Sequence, residues 1–429
     1  MTWPNSPLGR LAKMVGGGTP SKKNDAFWTG GDIPWVSPKD MRSREVWDAK
    51  DHITEAAVDG SATQVVPEGS VLLVVRSGIL VRRVPIAVAR VPVALNQDMK
   101  ALLPGGPLEP DYLAYALEAQ AEHILAGCVK RGATVHSIDI SKFSGLQFTV
   151  PPPSEQHRII EILDQADELR RLRAEADAKA ERILPALFMD MFGDPATNPM
   201  GWPTGRLDDV VVDTQYGTSQ RADTSGAGIA VIRMNNITKS GELDLTDLKY
   251  VRLSDREVER HLLRQDDILF NRTNSAELVG KTGIWRDQRF EAVPASYLIR
   301  VRVDEAKAIP RFVWAFMNSP FIKRTLLGKA RRAIGMSNIN ATELRALPLV
   351  LPDITSQGVF VQLLSAIDLG TANRRDAAGK IESIFGNLLH RAFSGDLVAR
   401  WREAHMKELL QEMEEQARLL GLSSAEVNA

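Results

Sequence analysis

Pro151-Pro152-Pro153-Ser154-Glu155-Gln156 decides the fold, because it occurs again in altered form as Leu351-Pro352-Asp353-Ile354-Thr355-Ser356-Gln357. A run of prolines cannot continue regular structure, so the stretch marks a boundary. Ser154 is then placed as a helix N-cap, with Glu155 near the positive helix end. Downstream, Gln156 returns as Gln357, Ile183 as Ile384, Leu187 as Leu388 and Phe192 as Phe393, each 201 residues on. Upstream, Trp3-Pro4 returns as Trp202-Pro203, and Val150-Pro151 as Leu351-Pro352. A constant offset marks an internal duplication, and duplicated chains fold as like halves about an approximate twofold axis. Such symmetry suits a partner that shares it, and duplex DNA is the obvious one.

The helices carry the duplication most clearly. Ile159, Ile162, Ala166, Leu169, Arg173, Ala176, Ala180, Ile183 and Leu187 step by threes and fours, a heptad seam interrupted by Arg173 and with Pro185 near its end. Phe360, Leu363, Ile367, Gly370, Arg374, Ala377, Ile381, Ile384 and Leu388 repeat it, arginine included. A lone helix of this kind is marginal in water, so the two seams are expected to pack antiparallel on each other. The competing arrangement packs each helix on its own domain.

Regions 1–150 and 194–352 read as short strands with few helices. Val71-Leu72-Leu73-Val74-Val75 and Ile86-Ala87-Val88-Ala89 are β-prone, and Asp111 to Leu125 reads as a helix. The expected class is α+β: mixed domains at 1–150 and 194–352, spacer helices at 151–193 and 353–397 forming a long antiparallel two-helix coiled coil, and a helical tail at 398–429. In the tail, Met406, Leu410, Met413, Ala417 and Leu420 form a stripe, with Glu408, Glu412, Glu414 and Glu415 off it. It reads either as a helix capping the bundle or as a contact for a partner subunit.

Composition is that of an ordinary globular protein, 44% hydrophobic and 25% charged. No apolar run is long enough to span a bilayer and the N-terminus does not read as a signal peptide. The one cysteine, Cys128, excludes an intramolecular disulfide and a thiolate metal cluster, and fits a reducing, cytoplasmic location. A net charge of −1 argues mildly against a DNA binder taken whole, although Lys323, Arg324, Lys329, Arg331 and Arg332 crowd together.

Catalytic signatures fail one by one. Gly280-Lys281-Thr282 resembles the end of a phosphate-binding loop, but Ser275 stands where that loop needs glycine. Gly16-Gly17-Gly18 lacks dinucleotide-binding spacing. Asp98-Met99-Lys100 has a nuclease-like spacing with no convincing partner acid. Asn198-Pro199 is followed by Met200, not by the second proline of an adenine methyltransferase motif. The seven histidines show no zinc spacing. The chain is expected to make and break no covalent bonds, with no catalytic and no metal-binding residue.

These residues resemble the specificity subunit of Type I restriction–modification systems. In the first half the resemblance rests on Gly17-Gly18-Thr19-Pro20-Ser21, Ile33-Pro34-Trp35-Val36, Glu68-Gly69-Ser70-Val71-Leu72, Asn96-Gln97 and Pro152-Pro153-Ser154-Glu155-Gln156. In the second it rests on Tyr216-Gly217-Thr218-Ser219, Ile232-Arg233-Met234-Asn235-Asn236-Ile237, Asp267-Ile268-Leu269-Phe270-Asn271-Arg272-Thr273-Asn274 and Ser337-Asn338-Ile339-Asn340. Leu388-Leu389-His390-Arg391-Ala392-Phe393-Ser394-Gly395 adds to it. Of the helix-entry motif only the glutamine survives in the second copy, and the cores of the two halves barely match.

The resemblance implies two target-recognition domains reading a bipartite site on double-stranded DNA. It implies two methyltransferase subunits as partners, joined by restriction/translocase subunits. S-adenosylmethionine would belong to the methyltransferase and ATP and Mg to the restriction partner, with no cofactor in this chain and no role for a membrane. Ser154 to Leu184 would span about 46 Å, or roughly thirteen base pairs, so the helices would act as a ruler between half-sites.

Arginine suits guanine, and asparagine or glutamine suits adenine. The first-half candidates for DNA contact are Thr19, Ser21, Lys39, Arg76, Ser77, Gln97, Lys130, Arg131 and His136. In the second half they are Tyr216, Thr218, Ser219, Gln220, Arg233, Asn235, Asn236, Arg272, Asn274, Ser296, Tyr297, Arg331, Arg332, Ser337 and Asn338. Arg76 and Arg272 stand out because each follows a β-prone run, and the basic stretch 323–332 suits phosphates. The alternatives are a stand-alone DNA-binding nuclease and a duplicated protein–protein scaffold.

Overall fold

A computed structural model describes residues 3–132, 135–274, 280–286, 290–330 and 337–419. The chain forms two units, Met1–Arg171 with Ala378–Ala429, and Leu172–Ala377. The division cuts both long helices, Pro153–Ala180 and Ile354–Phe393.

In the first unit a five-stranded sheet runs in the order Ala12–Gly16, Met99–Pro104, Val71–Val74, Ile86–Ala89, Glu45–Val46. Val71–Val74 is apolar throughout because both of its faces are covered. Val71 and Leu73 enter the cluster shared with the helices, while Leu72 and Val74 enter a second cluster behind the sheet. A neighbouring sheet pairs Val93–Leu95 in parallel with Ile33–Val36. Asn5–Pro7 pairs with Gln147–Thr149 and closes the domain at its base.

The second unit repeats this plan. Its sheet runs Val211–Tyr216, Leu298–Val303, Ile268–Asn271, Thr282–Ile284. Ile229–Ile232 pairs in parallel with Ala292–Pro294, and Thr204–Arg206 closes against Pro348–Val350. The architecture is α+β, with helix seated on sheet in each half.

One side chain does the same work in both copies. Gln156 Oε1 accepts from the Glu109 amide at 2.9 Å, and its Nε2 donates to the Pro151 carbonyl at 2.8 Å. Gln357 accepts from the Ile309 amide at 2.9 Å and donates to Pro352 at 2.8 Å. Both glutamines are fully buried. Each ties its helix start to the backbone preceding a domain helix, which explains why this residue persists when its neighbours change.

The helical seam differs from expectation by one residue at alternate positions. Ile159, Leu163 and Ala166 are buried in the first helix, and Phe360, Leu364, Phe385 and Ala392 in the second. The expected Leu169, Ile183, Leu363 and Ile384 are 56%, 48%, 44% and 55% exposed. Arg170 holds the seam position in place of Leu169: its guanidinium lies 4.0 Å from the Phe385 ring centroid and its Nε donates to Glu382 at 3.0 Å. In the second unit Asp177 meets Arg374 at 3.9 Å, and Phe188 meets Phe360 edge-on at 5.7 Å. Within the second unit these two pairs run in opposite senses along the two segments, as in an antiparallel pair.

The first long helix is also broken. It stops at Ala180 and resumes as Ile183–Phe192, whereas the second is continuous through the corresponding residues. Pro185 has no N–H for the Glu181 carbonyl four residues back, and its ring clashes with that group. Gly386 stands at the matching position in the second copy.

The tail forms two helices, Ala399–Ala404 and Met406–Leu419, docked on the first unit. Leu409, Met413 and Gln416 face inward, whereas the expected Leu410 is 49% exposed. Leu420 lies outside the described residues. Gln416 Nε2 donates to the Pro151 carbonyl at 2.9 Å, and the Ser154 amide donates to Glu412 at 3.0 Å. Arg402 pairs with the fully buried Glu155 at 2.6 Å, and Trp3 Nε1 donates to the same carboxylate at 3.0 Å. The tail thus caps the start of the first helix.

Candidate nucleic-acid interface

Strand direction gathers most of the sequence-predicted residues at one edge of each unit. In the first unit Gly16 pairs with Lys100 and Met99 with Val74. The end of one strand, the start of the next and the end of a third therefore lie together. The loops leaving them carry Thr19 and Ser21, Gln97, and Arg76 and Ser77. Thr19 Oγ1 donates to Gln97 Oε1. The parallel pairing of Leu95 with Val36 brings Lys39 to the same edge, and the pairing of Ser77 with His136 adds that histidine. Lys130 follows through its pairing with Ser137, and Arg131 is exposed beside it.

These groups are not equally free. Lys39 is paired with Asp51 at 2.5 Å and Lys130 with Asp139 at 3.1 Å. Lys130 and the backbone amides of Lys142 and Ser141 hold the Asp139 carboxyl below its usual range. His136 Nδ1 is buried without a partner. Arg76 is exposed, and its guanidinium has no partner among the described residues. Gly17 makes the edge possible, because a Cβ there would stand 2.1 Å from the Asn96 carbonyl oxygen.

The second unit forms its edge the same way. Tyr216 pairs with Ile299 and Phe270 with Thr282, so Tyr216, Thr218, Ser219 and Gln220 meet Ser296, Tyr297 and Arg272. A Cβ on Gly217 would lie 2.1 Å from the Pro294 carbonyl, the counterpart of Gly17. Thr273 pairs with Asn338 and Asn274 with Ser337, placing that short ladder beside the edge. Arg331 and Arg332 lie outside the described residues. Ser219, Asn235 and Tyr297 are exposed, and Gln220 is exposed with its side chain donating to Glu257.

Several predicted residues hold the protein itself. Asn236, 2% exposed, accepts from the Arg233 amide and donates to the Asp244 and Asp247 carbonyls, closing a turn. Arg233 pairs with Asp247 at 2.8 Å. Thr218 is buried and accepts from the Gln220 amide. Asn338 accepts from Thr273 at 3.0 Å. Tyr216 accepts from the Ala341 amide at 2.9 Å and lies under Arg272, whose guanidinium is 4.8 Å from the ring centroid.

Strand register also separates Arg76 from Arg272. The Ile138 amide donates to Val75, and the Ile339 amide to Arg272. Val75 is therefore the counterpart of Arg272, and Arg76 that of Thr273. Lys281 of the phosphate-loop look-alike is internal: its Nζ donates to the Met234 carbonyl at 2.9 Å and to that of Ile237. Burial, helped by Lys239, pulls its pKa down. Lys323 reaches the Lys239 carbonyl at 3.2 Å, and Arg324 reaches Asp194 at 3.8 Å. Sequence reasoning missed Arg82 and Arg83, exposed in the loop beyond Ser77; two adjacent arginines after a Ser-Gly turn were the available signal. Among the described residues no cluster of His, Cys, Asp or Glu is placed to hold a metal, and no helix is long and apolar enough to cross a membrane.

Comparison with known proteins places these features. The Type I restriction modification DNA specificity domain matches residues 1–182. The specificity subunit of the Type I restriction enzymes EcoR124I/EcoR124II of Escherichia coli is 44% identical over 162 residues, 38% of this chain and 40% of that protein. That of EcoKI, from Escherichia coli (strain K12), is 25% identical over 289 residues, 63% of this chain and 62% of that protein. The chain thus matches less than two thirds of the length of either relative. The crystal structure of the Type-I restriction-modification system S subunit from M. genitalium shares the fold, with a TM-score of 0.50 at 14% identity, covering 91% of this chain and 96% of that one. In its duplicated α+β fold, and in the specificity domain matched over residues 1–182, the chain is similar to the specificity subunits of Type I restriction–modification systems.

Proposed function

We propose that this chain is the non-catalytic specificity subunit of a Type I restriction–modification complex and reads a bipartite site on duplex DNA, one half-site per unit. The observation that carries this reading is the repeated edge: the same strand ends, opened by Gly17 and by Gly217, present exposed donors and acceptors in both units. Phosphate contacts would set register on the duplex, and side chains such as Arg76, Gln97, Gln220 and Asn235 would reach base edges. The domains are 1–150 and 194–352, with spacer helices at 151–193 and 353–397 fixing the gap between half-sites. Two methyltransferase subunits would bring S-adenosylmethionine and flip the target base. Restriction/translocase subunits would bring ATP and Mg. The complex would work in the cytoplasm.

Mapping methylated bases in DNA from cells with and without this chain tests the reading. A two-part motif with an unread gap, methylated only when the chain is present, is the expected result. Unchanged methylation overturns it. Seven residues added to both spacer helices lengthen each by about 10 Å, and the unread gap should then grow by roughly three base pairs.

A further inference from the structure

Between Val75 and Pro85 the first unit sends out a short excursion that returns to the same strand, where the Val74 amide donates to the Pro85 carbonyl. Its tip is a 3-10 turn, Gly78–Val81. The turn is held rigidly. Ser77 Oγ accepts from the Ile79 amide at 3.3 Å, and the amides of Arg82 and Arg83 both close on the Ile79 carbonyl. Leu80 is anchored in the core at 2% exposure. The next residue, Val81, points the other way and is 64% exposed.

The same excursion carries Arg76 at its start and Arg82 and Arg83 directly after Val81, all exposed and without a side-chain partner among the described residues. Elsewhere in this unit Arg44, Arg90, Arg170 and Arg402 are committed to carboxylates. An exposed aliphatic side chain followed directly by two exposed, unneutralised arginines fits a surface with an anionic rim and an apolar interior, as a DNA groove has. We infer that the turn Gly78–Val81 with Arg82 and Arg83 is the prong by which the first unit enters duplex DNA. Arg82 and Arg83 take phosphate oxygens, while Val81 meets the apolar edge of a base, the C5-methyl of thymine. This rests on the DNA-reading function proposed above and assigns that reading a specific element.

The test uses the full chain assembled with its co-expressed partner subunits, and a duplex carrying the site mapped by methylation. Affinity is followed from about 50 to 200 mM salt, where each lost phosphate contact flattens the log–log slope by about 0.9. The Arg82→Ala/Arg83→Ala double variant should flatten the slope by about 1.8. Arg10→Ala, an exposed arginine before the far end of strand Ala12–Gly16, should leave it unchanged. Val81→Ala should keep the wild-type slope but bind about fourfold more weakly per buried methyl group removed. It should also lose the penalty that the wild type shows when one thymine of the site is replaced by uracil. A double variant with the wild-type slope, or a valine variant that keeps every uracil penalty, overturns the prong while leaving DNA reading intact. Absence of salt-sensitive binding by the wild-type assembly overturns both.

Discussion

The two units share a backbone and differ in what lies behind their central sheets. Strand register aligns Ala101 with Arg300, Leu103 with Arg302 and Val74 with Asn271. Behind the first sheet Leu72, Val74 and Ala101 are buried together, with Val15 and Leu103 against them. Behind the second, Arg300 is 3% exposed and donates to Asp213 at 2.7 Å and Gln215 at 2.6 Å, while Arg302 grips Asp267 at 2.8 Å. Backbone ladders carry the repeat, so the layer behind them can be apolar or ionic, provided every buried charge finds a partner. This is why the two halves barely match in sequence and still fold alike.

The largest effect is expected where that layer is broken on one side only. Arg302→Ala takes the guanidinium from the Asp267 carboxylate, which is 2% exposed, and leaves it the Arg264 amide. The second unit should lose about 4 kcal/mol, seen as an early transition in urea unfolding of the full chain. The register supplies the repair: Leu103 and Ser70 occupy these positions in the first unit. Arg302→Leu combined with Asp267→Ser should return to within about 1.5 kcal/mol of wild type, since replacing both members of a buried pair is often neutral. A double variant no better than the single one would show that the two layers are not interchangeable.

The next contrast is at the helix entry. In the first unit Trp3 and Arg402 close on the buried Glu155; in the second, Trp202 Nε1 is buried without a partner and Ser356 stands in place of Glu155. Burial lifts the Glu155 carboxyl above its ordinary range in spite of Arg402 and Trp3. A fold that favours the protonated form loses stability as pH rises from the unfolded-state pKa toward the raised folded-state value. Arg402→Ala removes the counter-charge, so its cost should be about 3 kcal/mol near neutral pH. That cost should shrink toward about pH 3, below the unfolded-state value of about 4.3, where the carboxyl is protonated in both states. Melting temperatures of wild type and variant across that window measure it; a cost independent of pH would mean that Arg402 acts by packing alone.

How much of this was legible follows from the same two helices. The duplication, the helix starts and the gathering of the candidate residues at strand ends could be read, because a constant offset, prolines and β-prone runs are all visible in the sequence itself. The seam register could not. Ile162 and Leu163 are both apolar, so periodicity admits either, and Leu169 outranks Arg170 until one knows that Phe385 offers the arginine stem and guanidinium a surface. The structural roles of Asn236 and Arg233 were hidden for a like reason: a side chain that caps a turn has the same chemistry as one that reads a base. Leu163→Ala should cost about 2.5 kcal/mol and Leu169→Ala less than about 0.5 kcal/mol, by urea unfolding. Equal costs would restore the register expected from periodicity.

The smallest stability effects separate the two arginines that sequence treated as a pair. Arg272 stacks on Tyr216, and its Nε is buried without a partner. Arg272→Ala should cost about 0.5–1 kcal/mol through the lost stack. Arg76 touches no partner among the described residues, so Arg76→Ala should change stability by less than about 0.5 kcal/mol while weakening methylation at the first unit's half-site. Both variants can therefore lose function, but only one should lose it with a lowered melting temperature. If Arg76→Ala methylates as well as wild type, the free guanidinium at that edge reads nothing, and the proposed reading by the first unit would rest on Gln97 and the loop beyond Ser77.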